Sequence, residues 1–553
     1  MASITTIYHY DNGDEFPVEW AETEHAGQSY HWDAQHTPFA CTPLATDYLA
    51  EALSQLIQRG RPQSQVSAAP PMAPPLMAHP HGFMYIAGNP DSLPNSVVKA
   101  IQEDPASIGL QVSGLLQTWE TEYAPQVRSA CLELQNEDYS STAISDLPGR
   151  LRNSFSQAIK GWNATMNGLR PMIASHLQLL LFCREEFSED ADELANVLEH
   201  GFANATSSAH IALWKLAQLA KDSPPVMKLL HADRGDGIFA DLTAGPGGTA
   251  FLEGHTAYLE QYGFRGDGWF ELSTPTPKEN QSVLLEQLRQ MLDNDEPDPE
   301  LAVALSVRLR QETTQRLRDS LSGKPEKLAE FNRVLEGAKQ YVPVKEDRGL
   351  WQLTVPGSLR VPCLAAGTLL ADHGALDSAD DIFYLHLNEI EELAAAPAQG
   401  EWRQLVATRR KSHEAHKASN PPANFGGEYQ AGATQPQAPD ETSPLMAGEV
   451  LKGIPASAGV IEGRSMVVRT LQEADKLEAG DILICNSTSP AWSMLFSRIS
   501  AVVTIGGGPL SHTAIVAREY KIPCVLDVKG VTVKIQDGMR IRVDGSKGTV
   551  ELV

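Results

Sequence analysis

Basic residues, paired cysteines and long apolar runs are all scarce in this chain, and each scarcity excludes a class of protein. Lys and Arg number 44 against 70 Asp and Glu, a formal charge of −26. A surface so negative repels nucleic acid and anionic membranes, so no nucleic-acid or membrane partner is expected. The six cysteines (Cys41, Cys131, Cys183, Cys363, Cys485, Cys524) are scattered with no CxxC pair. That spacing offers neither a zinc ribbon nor a disulfide framework, so no metal site is expected, and it fits reduced thiols in the cytoplasm. The first twenty residues lack the basic flank and apolar core of a signal peptide. The most apolar stretches, such as 173–183 (IASHLQLLLFC), are too short to span a bilayer. The expectation is a soluble cytoplasmic protein. With 553 residues, 42% hydrophobic and 21% charged, the chain has ordinary globular composition and room for roughly two to four domains.

Two stretches read as linkers from their Pro, Ala, Gly and Ser content: a flexible loop at 61–80, and 420–448. Between them the texture is helical. Residues 151–167, 192–221, 281–293, 300–320, 327–341 and 380–394 carry apolar residues at three- and four-residue spacing. After 448 the texture changes to short β-branched runs punctuated by glycine: DILIC, VVTIG, IPCVLDV, TVKIQ, MRIRVDG and GTVELV. A helix over 511–520 interrupts them. The expected fold is therefore α+β and multidomain. A large, mainly helical domain over 1–420 would be followed by a linker at 421–448 and a small α/β domain over 449–553.

The chemistry concentrates in 501–525, AVVTIGGGPLSHTAIVAREYKIPCV. A strand runs into Gly506, Gly507 and Gly508, and Ser511 is placed to cap the helix that opens with His512. Glycines between a strand and a helix let backbone N–H groups approach an anion, and the helix N-terminus favours negative charge. A histidine there is suited to carry a phosphoryl group on a ring nitrogen. A surface histidine after a generic turn is the alternative that the glycines alone leave open.

This stretch resembles the phosphohistidine signature of phosphoenolpyruvate synthase, pyruvate phosphate dikinase and rifampicin phosphotransferase. The likeness extends through 452–463 (KGIPASAGVIEG), 479–496 (AGDILICNSTSPAWSMLF) and 536–550 (QDGMRIRVDGSKGTV), in order. Ile505 stands where many relatives carry aspartate. The resemblance implies a swivelling domain with His512 as the phosphorylated residue. Gly506, Gly507 and Gly508 would bind phosphate, and Ser511 or Thr513 would orient the ring or bond the phosphoryl oxygens. Arg518 would supply charge support, or else a salt bridge on the helix surface.

The first 420 residues are similar to the same family in looser words: YHWDAQHTPFACTPL at 30–44, FLEGHTAYLEQYGFR at 251–265, with Phe264 for a histidine, YVPVKEDRGLW at 341–351, DDIFYL at 380–385 and RRKSH at 409–413. They resemble the rifampicin phosphotransferase substrate domain and phenylphosphate synthase subunits. Lys345, Asp347 and Arg348 would then stabilise charge as the phosphoryl group moves, unless they form a solvated face. His31, Asp33 and His36 would line the acceptor pocket or bond loop backbone, with Arg265, His255 and Tyr262 near the same cavity.

The dikinase family normally opens with an ATP-grasp module, whereas here the central-domain word already stands at Asp33. The implied layout is a split enzyme. A separate ATP-grasp subunit, using ATP and Mg2+, would phosphorylate His512, with no tightly bound cofactor in this chain. The 420–448 tether would swing the phosphohistidine to a small phenolic acceptor such as phenol or cresol. The alternatives are a larger hydroxyl acceptor such as an antibiotic, and a regulatory phosphocarrier without turnover. On the split-enzyme expectation, calorimetric titration of this chain with Mg-ATP shows no low-micromolar site, and finding one refutes it.

Overall fold

The computed structural model describes residues 7–9, 29–60, 77–87, 92–187, 191–232, 237–266, 268–293, 298–397, 401–418, 421, 424–426, 444–446, 448–508 and 511–553. The expected arrangement is the observed one: a mainly helical body followed by a small α/β unit.

The body is organised on one 32-residue helix, Tyr341–Asp372, against which Ala124–Gln135 and Leu147–Met166 pack. Their shared core joins Tyr48, Phe155, Trp162, Phe270 and Leu359. Pro356 and Pro362 lie inside the long helix. Each removes an N–H that would bond the carbonyl four residues back. Gly357, beside the first proline, permits a close approach, since a Cβ there would stand 2.0 Å from the carbonyl oxygen of Phe264. By length and composition the stretch Pro325–Asp372 could cross a membrane, yet 72% of its most apolar window is buried within the protein. It is a core element.

Local chemistry sets the other boundaries. The expected helix over 192–221 is two helices, Ala191–Glu199 and Ala205–Lys221. Gly201 breaks the run at φ +75°, and Asn204 caps the second helix by accepting from the Ser207 N–H. The expected helix over 380–394 likewise divides into a 3-10 turn, Ala379–Tyr384, and the helix Leu387–Ala395.

A five-stranded sheet caps the body in the order Ile7–His9, Met77–Pro80, Tyr85–Ala87, Ser29–Trp32, Asn424–Gly426. The end of the expected 61–80 loop is therefore a strand, and 61–76 lies outside the described residues. Most of the expected 420–448 tether also lies outside them. Its described ends are anchored: Asn424–Gly426 pairs with Ser29–Trp32, and the Leu445 N–H donates to the Lys534 carbonyl at 2.7 Å.

The C-terminal unit is an eight-stranded sheet. Its middle is four parallel strands, Val460–Val467, Ile482–Cys485, Ala501–Thr504 and Cys524–Leu526, with antiparallel strands at both edges. Ile482–Cys485 and Ala501–Thr504 are buried throughout, as strands covered on both faces must be. The TVKIQ run, expected as a strand, instead contributes to a short helix, Val531–Lys534, entered through Gly530 at φ +68°.

Replacing Gly357 with Ala forces backbone apart where the long helix meets Phe264, so it should cost about 1–3 kcal/mol, the usual scale for overpacking. Thermal unfolding followed by circular dichroism is expected to show the loss.

Candidate active site at the seam between body and C-terminal unit

Strand Ala501–Thr504 ends at the carboxyl edge of the parallel sheet, where such sheets place their ligands. Gly506 lies against the body, because a Cβ there would meet Ala34 Cβ at 2.8 Å. Gly507 adopts φ +106°, which favours glycine. Ile505 is buried in a core cluster that includes Ala34. The helix His512–Glu519 follows, with Ser511 as its N-cap accepting from the Ala514 N–H at 3.3 Å. The Ser511 hydroxyl is thus engaged in the cap. Thr513 shares a 2.8 Å hydrogen bond with Thr488.

His512 is 5% exposed and reaches across to the helical body. Its Nδ1 lies 3.2 Å from Glu346 Oε2, and its Nε2 lies 3.2 Å from Ser493 Oγ. Glu346 also accepts from the Thr206 hydroxyl at 2.6 Å and from Lys345 Nζ at 3.1 Å. Burial works to raise the Glu346 carboxyl, but Lys345, His512 and Thr206 outweigh it and hold the group far below the usual carboxylate range. An ionised carboxylate only accepts, so Nδ1 carries the proton on that side. The other ring nitrogen, Nε2, is then the one open to chemistry.

The rest of the seam is largely apolar. Trp492, Phe496 and Val516 of the C-terminal unit share a core cluster with Phe251, Tyr258 and Leu288 of the body. Ile515, 2% exposed, enters another body cluster beside Trp119 and Tyr341. Polar contacts pin the edges: Tyr520 Oη to His210 Nδ1 at 2.6 Å, and Arg498 Nη1 to Gln290 Oε1 at 2.6 Å. The loop after Trp32 is fastened as well, since Asn486 Nδ2 donates to the Pro38 carbonyl at 2.5 Å.

That loop brings Asp33 and His36 to the seam. His36 Nδ1 pairs with Asp33 Oδ2 at 2.8 Å, the ring's other nitrogen has no bond among the described residues, and the His36 side chain is 40% exposed. Burial alone would lower the imidazole pKa, but Asp33 outweighs it and the net shift is upward.

The expected cluster at 345–348 divides. Lys345 supports Glu346, and burial lowers its own pKa. Asp347 turns to Trp119, whose Nε1 donates to it at 2.5 Å, so the structure gives it a structural partner rather than a place beside His512. Arg348 rests its Nη1 on Met166 Sδ at 3.3 Å. Arg265 is buried beside Tyr258 and Tyr262, where it offsets part of the burial that raises both phenols. His31 sits in the strand Ser29–Trp32 and is not among the residues bonded to His512. Arg518 donates through Nε to the Ala456 carbonyl at 2.6 Å, a contact within its own unit.

Glu346, Ser493 and Thr206 escaped the sequence reading. A signal for Glu346 existed: Val342, Glu346, Gly349 and Leu353 fall on one helical face, an acid on an otherwise apolar stripe.

Comparison with known proteins agrees with this architecture. Residues 477–548 match the family described as PEP-utilising enzyme, mobile domain, and residues 164–346 match the rifampicin phosphotransferase fourth domain. A rifampicin phosphotransferase of Streptomyces sviceus is 31% identical over 358 residues, covering 63% of this chain and 40% of that protein. The rifampicin phosphotransferase of Bacillus subtilis is 28% identical over 369 residues, covering 66% and 41%. Chondramide synthase of Chondromyces crocatus is 27% identical over 564 residues, covering 98% of this chain but 14% of the synthase. The chain thus joins a segment like the rifampicin phosphotransferase fourth domain to one like the mobile domain of PEP-utilising enzymes. It spans about two fifths of the phosphotransferases and a smaller share of the synthase.

Half-buried Glu519 supplies a pH signature for the seam. Burial, and then Glu346, raise its carboxyl from 4.5 to about 8 against the pull of Lys345. An acid raised on docking favours the docked form most fully below its free value and loses that contribution as pH rises towards 8. Small-angle scattering should therefore show the two units separating more readily at pH 8 than at pH 5. In Glu519→Gln that dependence should flatten.

Proposed function

We propose that His512 carries a phosphoryl group from a nucleotide donor to a hydroxyl acceptor bound against the helical body. The observation that carries this reading is the buried His512 held between Ser493 and Glu346 at the seam, beside the glycine loop. In the step that follows, the P–Nε2 bond breaks and its electron pair returns to the ring as the acceptor oxygen forms the new P–O bond. Glu346 keeps Nδ1 protonated and the ring oriented. Lys345 offsets charge on the moving group. The acceptor's proton passes to His36, which Asp33 orients as a base.

The donor in this reading is ATP with Mg2+, held by an ATP-grasp unit outside the described residues, on a partner chain in the split layout. The acceptor reading favoured by the comparisons is a larger hydroxyl compound, since the phosphotransferase relatives carry rifampicin in their names. The phenolic acceptor rests on the split layout alone.

Loading with labelled ATP and the donor unit should give acid-labile, base-stable label on His512. Full label in His512→Ala overturns the assignment. Glu346→Gln should load normally, because Glu346 meets the ring only when the two units are docked, and should transfer roughly ten- to a thousandfold more slowly. Rapid quench of the two half-reactions separates the effects.

The His36 pKa is raised, so the transfer rate should fall as pH drops through a value above 6.5. Asp33→Asn should move that limb to lower pH, and an unmoved limb removes His36 from the base role.

A further inference from the structure

We propose that the acceptor carries, besides its hydroxyl, an anionic oxygen group of the carboxylate class, bound by Arg348 and Tyr341. This rests on the reading of His512 as the phosphoryl carrier and names the substrate class of the same site. Tyr341, Lys345, Arg348 and Gln352 recur at spacings of four, three and four, so they form one stripe along the long helix. Two of them are engaged, Lys345 with Glu346 and Gln352 with Met166 Sδ at 3.2 Å. The other two are not satisfied. The Tyr341 hydroxyl and Arg348 Nε are buried atoms with no hydrogen-bond partner among the described residues. Tyr341 itself is 2% exposed.

The carboxylates near them are engaged elsewhere. Glu199, the acid that acts most on Tyr341, serves His176 at 2.8 Å; Glu346 serves His512, Lys345 and Thr206, Asp33 serves His36, and Asp347 serves Trp119. Arg348 therefore has no carboxylate partner among the described residues, and its guanidinium meets only a thioether, a weak acceptor. A buried guanidinium nitrogen and a buried hydroxyl, each without a partner, are costly, and folded proteins keep few of either without a ligand to satisfy them. Arginine's planar fork matches a carboxylate in two parallel hydrogen bonds, and the phenol adds a third donor.

The remaining walls are apolar. Trp269 stands edge-on to His36 at 5.7 Å, and a Cβ on Gly349 would lie 3.9 Å from its ring. The Arg348 guanidinium acts electrostatically on both His36 and Glu346, so an acid group held by it would lie beside the carrier histidine. Rival use of Arg348 by the travelling phosphoryl group makes a different prediction, and the test separates the two.

The full chain is titrated calorimetrically with 4-hydroxybenzoate and with 4-hydroxybenzamide, which share a ring and a hydroxyl but not a charge. The acid should bind at least tenfold tighter. Arg348→Gln and Tyr341→Phe should each bring it to the level of the amide, while the unfolding midpoint of Tyr341→Phe stays at the wild-type value. Equal binding of the two probes, binding of neither, or variants that keep the preference overturn the proposal. So does displacement of the acid by equimolar inorganic phosphate, which would assign Arg348 to the phosphoryl group. No transfer enters the titration, so its failure leaves His512 labelling untouched, and a failure of labelling leaves the titration standing.

Discussion

The site depends on one buried carboxylate. Glu346 sits buried in the second turn of the body's 32-residue helix, where an uncompensated charge would cost several kcal/mol. Three groups from three different segments make it tolerable: Lys345 beside it, Thr206 from a neighbouring helix, and His512 from the C-terminal unit. The last of these comes from the mobile-domain match, so removing it leaves Glu346 with two partners rather than three. The docked arrangement is thus written into the electrostatics of the helical body as well as into the mobile unit.

The seam combines that ion pair with apolar packing, and the two do different jobs. Ile515, Phe496 and Trp492 supply non-directional burial, on the order of 1.5–3 kcal/mol for each fully covered large side chain. The polar contacts, His512 to Glu346 and Tyr520 to His210, are directional and fix how the glycine loop faces Asp33 and His36. A surface of this kind, if it travels to a second station, needs apolar cover there too. The same face would then meet the donor and the acceptor in turn.

Charge placement around the cleft is uneven in a way that matches the division of labour proposed for it. Acids and bases next to His512 are mutually satisfied, which holds the ring and its loop still. The deeper stripe of the long helix, at Tyr341 and Arg348, retains unused donors. Preorganised donors without a protein partner mark where a ligand supplies the missing acceptor, because the alternative is an uncompensated desolvation.

The sequence alone determined the parts whose signals are local. Glycines before a capped helix announced the turn that presents His512, β-branched runs announced a buried sheet, and the order of family words placed a helical body ahead of it. Ser511 as an N-cap and His512 on the first turn followed from chemistry within a few residues. Tertiary structure decided everything that depends on which distant groups share a desolvated space. It selected Glu346 over Asp347, sending Asp347 to Trp119, because each residue step along a helix turns the side chain by about 100°. It also broke 192–221 at Gly201 and turned TVKIQ into a helix, where backbone conformation overrode side-chain propensity. Partners such as Ser493 and Thr206 carry no pattern of their own. A hydroxyl becomes functional only through what the fold brings within 3 Å or so of it, and that is a property of packing rather than of sequence.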